Sequence, residues 1–196
     1  MKKIVLLFCT FLLSIIAWSQ TTKYGLTLGA NYTQLNGKGV DNTYSLGFIA
    51  GGFARIPLRD KWNVQPELLF NYVNGQKGND FLEVYNDNGN QSARNAIVLS
   101  YISVPVLFGY KVTKLLTVNA GPQYDFLLDD NEDLVANGSR AFKLNNIGVT
   151  GGAELNLSGF RVFANYELGL TNINDIDNRY KWNKNEALIG FNFTLF

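Results

Sequence analysis

The chain has 196 residues, with 17 basic and 16 acidic side chains and no histidine. This near-neutral balance gives no electrostatic case for nucleic acid, and the lack of imidazole removes the usual general base and a principal zinc and copper ligand. Ten Tyr, fourteen Phe and nineteen Gly against one Met is a composition of sheet rather than helix.

The first element is a leader. Lys2 and Lys3 precede an apolar stretch from Ile4 to Ala17, broken only by Cys9, Thr10 and Ser14. Ala17-Trp18-Ser19 places small residues where a signal peptidase reads them, so cleavage after Ser19 is expected. The run is short for a spanning helix, and polar Gln20-Thr21-Thr22 follows it. Bulky Phe8 before Cys9 argues against a lipoprotein. Residues 1–19 therefore read as a signal peptide and 20–196 as one domain of roughly 175 residues. Cleavage removes the only cysteine with two lysines, leaving 15 basic against 16 acidic side chains. The expected product is exported but is not a disulfide scaffold.

Eight segments of alternating polarity follow. The first covers Lys23–Thr33, with Leu26, Leu28, Ala30 and Tyr32 opposing Thr27, Gly29 and Asn31. The second covers Tyr44–Ile56. The third starts at Trp62 and runs through NVQPELLFNYV (63–73), where Val64, Leu68, Phe70 and Tyr72 oppose Asn63, Gln65, Glu67 and Asn71. The fourth spans Ala96–Lys111, the fifth Leu116–Leu128, the sixth Phe142–Leu157, the seventh Phe160–Thr171 and the eighth Glu186–Phe196. In the eighth, Ile189, Phe191, Phe193 and Leu195 favour one outward parity and Phe196 the other, which leaves its register open. No stretch of globular length carries a helical apolar stripe.

Connections alternate. Residues 57–61, 112–115 and 158–159 are tight turns, whereas 34–43, 74–95, 129–141 and 172–185 are long and polar. Short turns on one side, long loops on the other and an even strand number describe an up-and-down outer-membrane barrel, with both termini on the short-turn side. A soluble lipocalin-like barrel would also alternate, but with its apolar face inward. Here the polar face carries Arg55, Glu67, Asp125, Glu154, Arg161 and Glu167 in mid-strand. The apolar face carries aromatics near strand ends: Tyr24, Tyr32, Tyr44, Trp62, Tyr72, Tyr124, Phe160 and Tyr166. Such girdles border the apolar band of a membrane barrel, and an aromatic last residue is typical of one. The expected fold is all-β, an eight-stranded antiparallel transmembrane barrel in contact with outer-membrane lipid.

Eight strands leave an interior just wide enough for side chains to fill. The six charged residues are then expected to meet across a plugged lumen, with Arg55 or Arg161 neutralising Glu67. Two cations against four carboxylates imply that one carboxylate holds a proton or pairs with a lysine near a strand end. The alternative to a structural or accessory barrel is a narrow channel, such as a cation path, or a small-solute transport barrel. Pro66 and Pro105 cannot donate to a ladder. Back-counting from the tight turns sets Pro66 near Gly51-Gly52 and Pro105 near Gly121-Pro122, so a local bulge or sharp coil is expected there, with Pro66 outward.

Nothing points to catalysis, a metal or a cofactor. A Ser or Thr nucleophile would have no imidazole to activate it. Asp129-Asp130-Asn131-Glu132-Asp133 fails the calcium-loop pattern, with Leu134 at the glycine position and Arg140 at the closing glutamate. Gly37-Lys38-Gly39 lacks the strand–helix context of a phosphate loop. Asn74-Gly75, Asp87-Asn88-Gly89 and Asn137-Gly138 are turn formers. The long loops, above all 74–95 and 129–141, are the surfaces expected to hold an envelope protein partner.

Four stretches, in order, resemble the PorT-type outer-membrane β-barrel family of Bacteroidota: SYISVPVLFGYK (100–111), LTVNAGPQYDFLL (116–128), IGVTGGAEL (147–155) and FANYELGLTNI (163–173). The resemblance implies an eight-stranded outer-membrane barrel. It implies little about activity, although the founding member is linked to protein secretion across the envelope. Ser103 stands where many relatives carry an acidic residue, so a role tied to that carboxylate does not carry over.

Overall fold

The structure is a computed structural model that describes residues 22–79, 81, 84, 96–130, 141–176 and 179–195. Residues 1–21, where the expected leader falls, most of 80–95, residues 131–140 and 177–178, and Phe196 lie outside the described residues. Eight strands run in chain order: β1 (Lys23–Asn36), β2 (Tyr44–Pro57), β3 (Trp62–Gln76), β4 (Ala96–Lys111), β5 (Leu116–Asp130), β6 (Asn145–Asn156), β7 (Phe160–Gly169) and β8 (Asn183–Thr194). Each pairs antiparallel with its neighbour, and β1 closes on β8 from Gly25–Thr194 to Asn36–Asn183. Closure leaves no free sheet edge, which a lipid environment demands because it offers no replacement partners.

Alternation sorts the side chains. On β1, Thr27, Asn31 and Thr33 are fully buried, while Leu26 and Leu28 on the other parity are about half exposed. Leu68 and Ile189 are 61% and 60% exposed, an apolar exterior that suits lipid and not water. Aromatic rings border this band. On the long-loop side, the rings of Tyr32 and Tyr44 lie 6.4 Å apart and the Tyr44 and Tyr166 hydroxyls 3.3 Å apart. On the short-turn side, Trp62 meets Tyr110 at 4.9 Å and Phe160 meets Phe193 at 6.2 Å. In β8, Ile189, Phe191, Phe193 and Leu195 face outward while Lys184, Glu186 and Asn192 are buried, which decides the parity that the sequence left open.

The short connections close as tight turns. Gly159 adopts a positive φ of 91°, which glycine reaches without steric cost. Between β4 and β5, the Thr113 hydroxyl accepts from the backbone N–H of Leu115 and Leu116. The long loops depart from the polar, solvated reading. Phe142 does not open β6; it leaves the sheet, bridges Asn174 and packs on Trp182 at 5.3 Å. The reason lies beneath it. The lumen at this end is lined by Leu35, Val73, Ile97, Leu99 and Leu127, and Val40, Phe81, Phe142, Ile173 and Trp182 fold in to cover it.

At the prolines the ladders lapse without changing register. Between β2 and β3, pairing skips Ala54–Arg55 opposite Gln65–Pro66 and resumes unchanged. Between β3 and β4 it skips Glu67–Leu68 opposite Val104–Pro105, and between β4 and β5 it skips Val106–Leu107 opposite Gly121–Pro122. No residue is inserted, so these sites are breaks in pairing and not bulges. The register shift of β4 against β5 lies higher, between Ser100 and Tyr101. Pro66 is half-buried on the outward parity, whereas Pro105 is buried on the lumen face. A Cβ on Gly51 would strike the Leu68 carbonyl oxygen and one on Gly121 that of Val106. The backbones therefore approach closely beside the breaks.

Leu68 sits midway along β3 between the aromatic borders, whereas Leu115 lies in a short turn. Leu68→Arg should destabilise the barrel by about 2–4 kcal/mol and Leu115→Arg by about 0–1 kcal/mol, read by reversible urea unfolding in phospholipid bilayers. Equal losses would contradict the placement of the apolar band.

Candidate functional site

Among the described residues the lumen is the enclosed polar environment, and it is built in layers. Just beneath the apolar cap, the Lys184 ammonium sits 2.9 Å from Asp125 Oδ2, 2.9 Å from Glu167 Oε2 and 3.0 Å from Glu186 Oε2. All four side chains are fully buried. An ammonium has three donors, and here each meets a different carboxylate. The remaining acceptor capacity is met by neutral donors. Thr33 Oγ1 donates to Glu186 Oε1 at 2.7 Å and Asn71 Nδ2 to Glu186 Oε2 at 2.9 Å. Gln123 Nε2 donates to Asp125 Oδ1 at 2.9 Å and to Glu167 Oε2 at 2.8 Å, and Asn146 Nδ2 reaches Asp125 Oδ2 at 2.9 Å. Thr150 in turn holds the Gln123 carbonyl at 2.6 Å. The Tyr101 ring lies 5.2 Å from the ammonium, a cation–π distance.

Below this hub comes an apolar waist of Ile49, Leu69, Phe163 and Leu188. The void beside it is about 20 Å³, room for about one water. Nearer the short turns lies a second ionic layer. Arg55 Nη2 and Arg161 Nε both meet Glu154 Oε2, at 2.7 and 3.4 Å. Arg55 Nε also donates to Asn63 Oδ1 at 3.0 Å, and Arg161 Nη1 to Thr194 Oγ1 at 3.2 Å. Glu67 is not the partner of either arginine. It accepts from Gln65 Nε2 at 2.7 Å, while both guanidiniums turn to Glu154, which is 2% exposed. Across β6 and β7, Asn156 faces Arg161, so Glu154 is the diagonal neighbour of Arg161 on the same face.

The six charges on the wet face thus fall into two groups. Arg55, Glu154 and Arg161 meet, with Glu67 beside them through Gln65; Asp125 and Glu167 meet around a lysine. That lysine and Glu186 lie outside the six charges that alternation marks. Lys184 falls in a stretch whose polarity predicts a loop, because β8 starts three residues earlier than its apolar alternation suggests. The spacing Lys184-x-Glu186 on the parity of Asn192 was the available signal. Among the described residues no cluster of His, Cys, Asp or Glu is placed to hold a metal ion; between Asp125, Glu167 and Glu186 the ammonium takes that position. Asp129 is exposed and Asp130 buried, and residues 131–133 of the acidic run lie outside the described residues.

A model of the outer membrane protein beta-barrel domain family matches residues 18–175. No curated protein matches the sequence. Among solved structures, the attachment invasion locus protein Ail of Yersinia pestis, in complex with the heparin analogue sucrose octasulfate, aligns at a TM-score of 0.55 and 12% identity. That alignment covers 90% of this chain and 100% of Ail. Neisserial surface protein A aligns at 0.54 and 12% identity, again over 90% of this chain and 100% of the other. At this identity the likeness speaks for the fold alone.

Removing one member of a buried ion pair leaves the others uncompensated, a loss of about 3–5 kcal/mol. Lys184→Met should cost that much in bilayer unfolding titrations. Arg59→Ala should change nothing measurable, because Arg59 meets Asp60 only at 3.9 Å and both are more than four-fifths exposed. A Lys184→Met barrel as stable as the parent would show that the three carboxylates do not need the ammonium.

Proposed function

Because the chain belongs to the outer membrane protein beta-barrel domain family, we propose that it is a small integral outer-membrane barrel with a plugged interior. Its role is structural or accessory: it holds an envelope partner through its long loops and catalyses nothing. The observation that carries this reading is the filled lumen. Apolar cap, Lys184 hub, waist and Arg55–Glu154–Arg161 layer follow one another, and the void at the waist is about 20 Å³. A hydrated ion has no route of its own width through such packing.

The layering favours this reading over the narrow channel. A cation path would put carboxylates along water, but Asp125, Glu167 and Glu186 are spent on one lysine. What is left for function is the surface. Val40, Phe81, Phe142, Ile173 and Trp182 pack into the cap, so the described residues at the loop bases offer a fixed platform. Within this proposal, the PorT-type resemblance favours a Bacteroidota envelope protein exported by a cleaved leader and connected with secretion.

Purified protein in planar bilayers should give no steady unitary conductance; sustained cation-selective openings would replace this reading with the channel. Deleting 74–95 and 129–141 together should abolish crosslinked capture of envelope proteins. Capture of the same proteins by the deletion variant would rule out loop-mediated binding.

A further inference from the structure

Among the described residues the lumen is closed at the loop end and open at the other. A cavity of about 520 Å³ occupies the short-turn mouth, within the range of small-molecule sites. Lys23, Arg55, Lys61, Lys111 and Arg161 line it, with Asp60 as the one carboxylate among the lining residues. Even with Glu154 and Glu67 above them, cations outnumber carboxylates five to three.

The position of these cations matters more than their number. Lysines at the end of a membrane strand commonly extend from the lipid face to the headgroups. Lys23 and Lys111 do not belong to that face. Lys111 pairs with Thr117, which is fully buried in the lumen, and Lys23 pairs directly with Arg55. Like charges directly opposite across a strand pair are destabilising, and no carboxylate among the described residues lies within ion-pair distance of Lys23 or Lys111. Above them, two guanidiniums share the single oxygen Glu154 Oε2. Arg55 Nη1 makes no protein hydrogen bond among the described residues, which leaves its donors for the cavity that Arg55 lines.

We infer that this mouth is a binding site for a phosphate ester presented from the short-turn side, the periplasmic side of such barrels. A phosphate group matches the set better than a lone carboxylate. It carries up to two charges, and its oxygens accept from planar guanidiniums and from ammonium points together. Arg55 and Arg161 form the floor. Lys23, Lys61 and Lys111 form the rim, with Trp62 and Phe160 flanking the entrance. Two sources offer this chemistry: a soluble phosphate monoester, and the headgroup of an inner-leaflet phospholipid.

The test uses the folded protein in maltoside micelles, which carry no phosphate, with ¹⁵N-labelled arginine. Titrated with glycerol 3-phosphate at low salt, the side-chain signals of Arg55 and Arg161 should shift saturably while exposed Arg59 stays in place. The double variant Lys23→Gln/Lys111→Gln alters only rim residues that hold no ion pair, so it should remain folded and bind about tenfold more weakly. In bilayer discs of phosphatidylglycerol, signals already shifted before titration would identify the lipid headgroup as occupant; unshifted signals that still respond to glycerol 3-phosphate would identify the soluble ester. No saturable shift at Arg55 and Arg161, or an equal shift at Arg59 and in the double variant, would overturn the site and leave only general attraction to a basic rim.

Discussion

The interior is organised around a single buried ammonium. Lys184 draws Asp125, Glu167 and Glu186 to within 3.0 Å, and the donors that complete those carboxylates come from β1, β3, β5 and β6. With the Tyr101 ring of β4 beside it, one charge engages seven of the eight strands. Burying a charge is costly unless it is paired and hydrogen-bonded. Here the cost is offset because every ammonium donor is used and neutral donors meet the surplus carboxylate oxygens. Such a network is intolerant of error, since a half-satisfied one is worse than an apolar core. It therefore specifies how the strands are staggered as well as holding them together.

That hub separates two unlike ends. On the loop side the lumen wall turns apolar, and the loops respond by folding Phe142 and Trp182 inward. The indole N–H is not wasted: it donates to the Lys38 carbonyl at 3.0 Å. On the turn side the wall turns basic, the turns there are too short to cover it, and among the described residues a cavity is left at the mouth. An eight-stranded barrel has an interior just wide enough for side chains to fill. Alternating ionic and apolar layers fill that space, and they make the molecule a plug with one sealed and one receptive face.

The prolines belong to the same problem of closure. Strands that curve around a small lumen cannot keep every ladder bond. Three neighbouring pairs give theirs up at Pro66, at Pro105 and beside Pro122, without inserting a residue. Glycines at 51 and 121 let the adjacent carbonyls come close. A residue that cannot donate is well placed where a donor would have no acceptor.

Strand number, turn and loop alternation, and the inward parity of Arg55, Glu67, Asp125, Glu154, Arg161 and Glu167 were legible in the sequence. They depend on a period of two and on local turn chemistry, and both are written residue by residue. The pairing of those charges was not legible. Arg55 and Glu154 are 99 positions apart and meet only because the closed sheet staggers β2 against β6 across the lumen. Lys184 lay hidden in a polar stretch whose strand character comes from pairing with Leu35 and not from its own neighbours. Alternation alone places Phe142 in a strand and Trp182 in a loop, because the apolar floor that receives both is assembled from four separate strands. The sequence by itself determined the barrel and which side of each strand is wet. Only the tertiary structure decided which charges meet, which end is sealed and which end is left open, because all three depend on contacts across the lumen that no local pattern encodes.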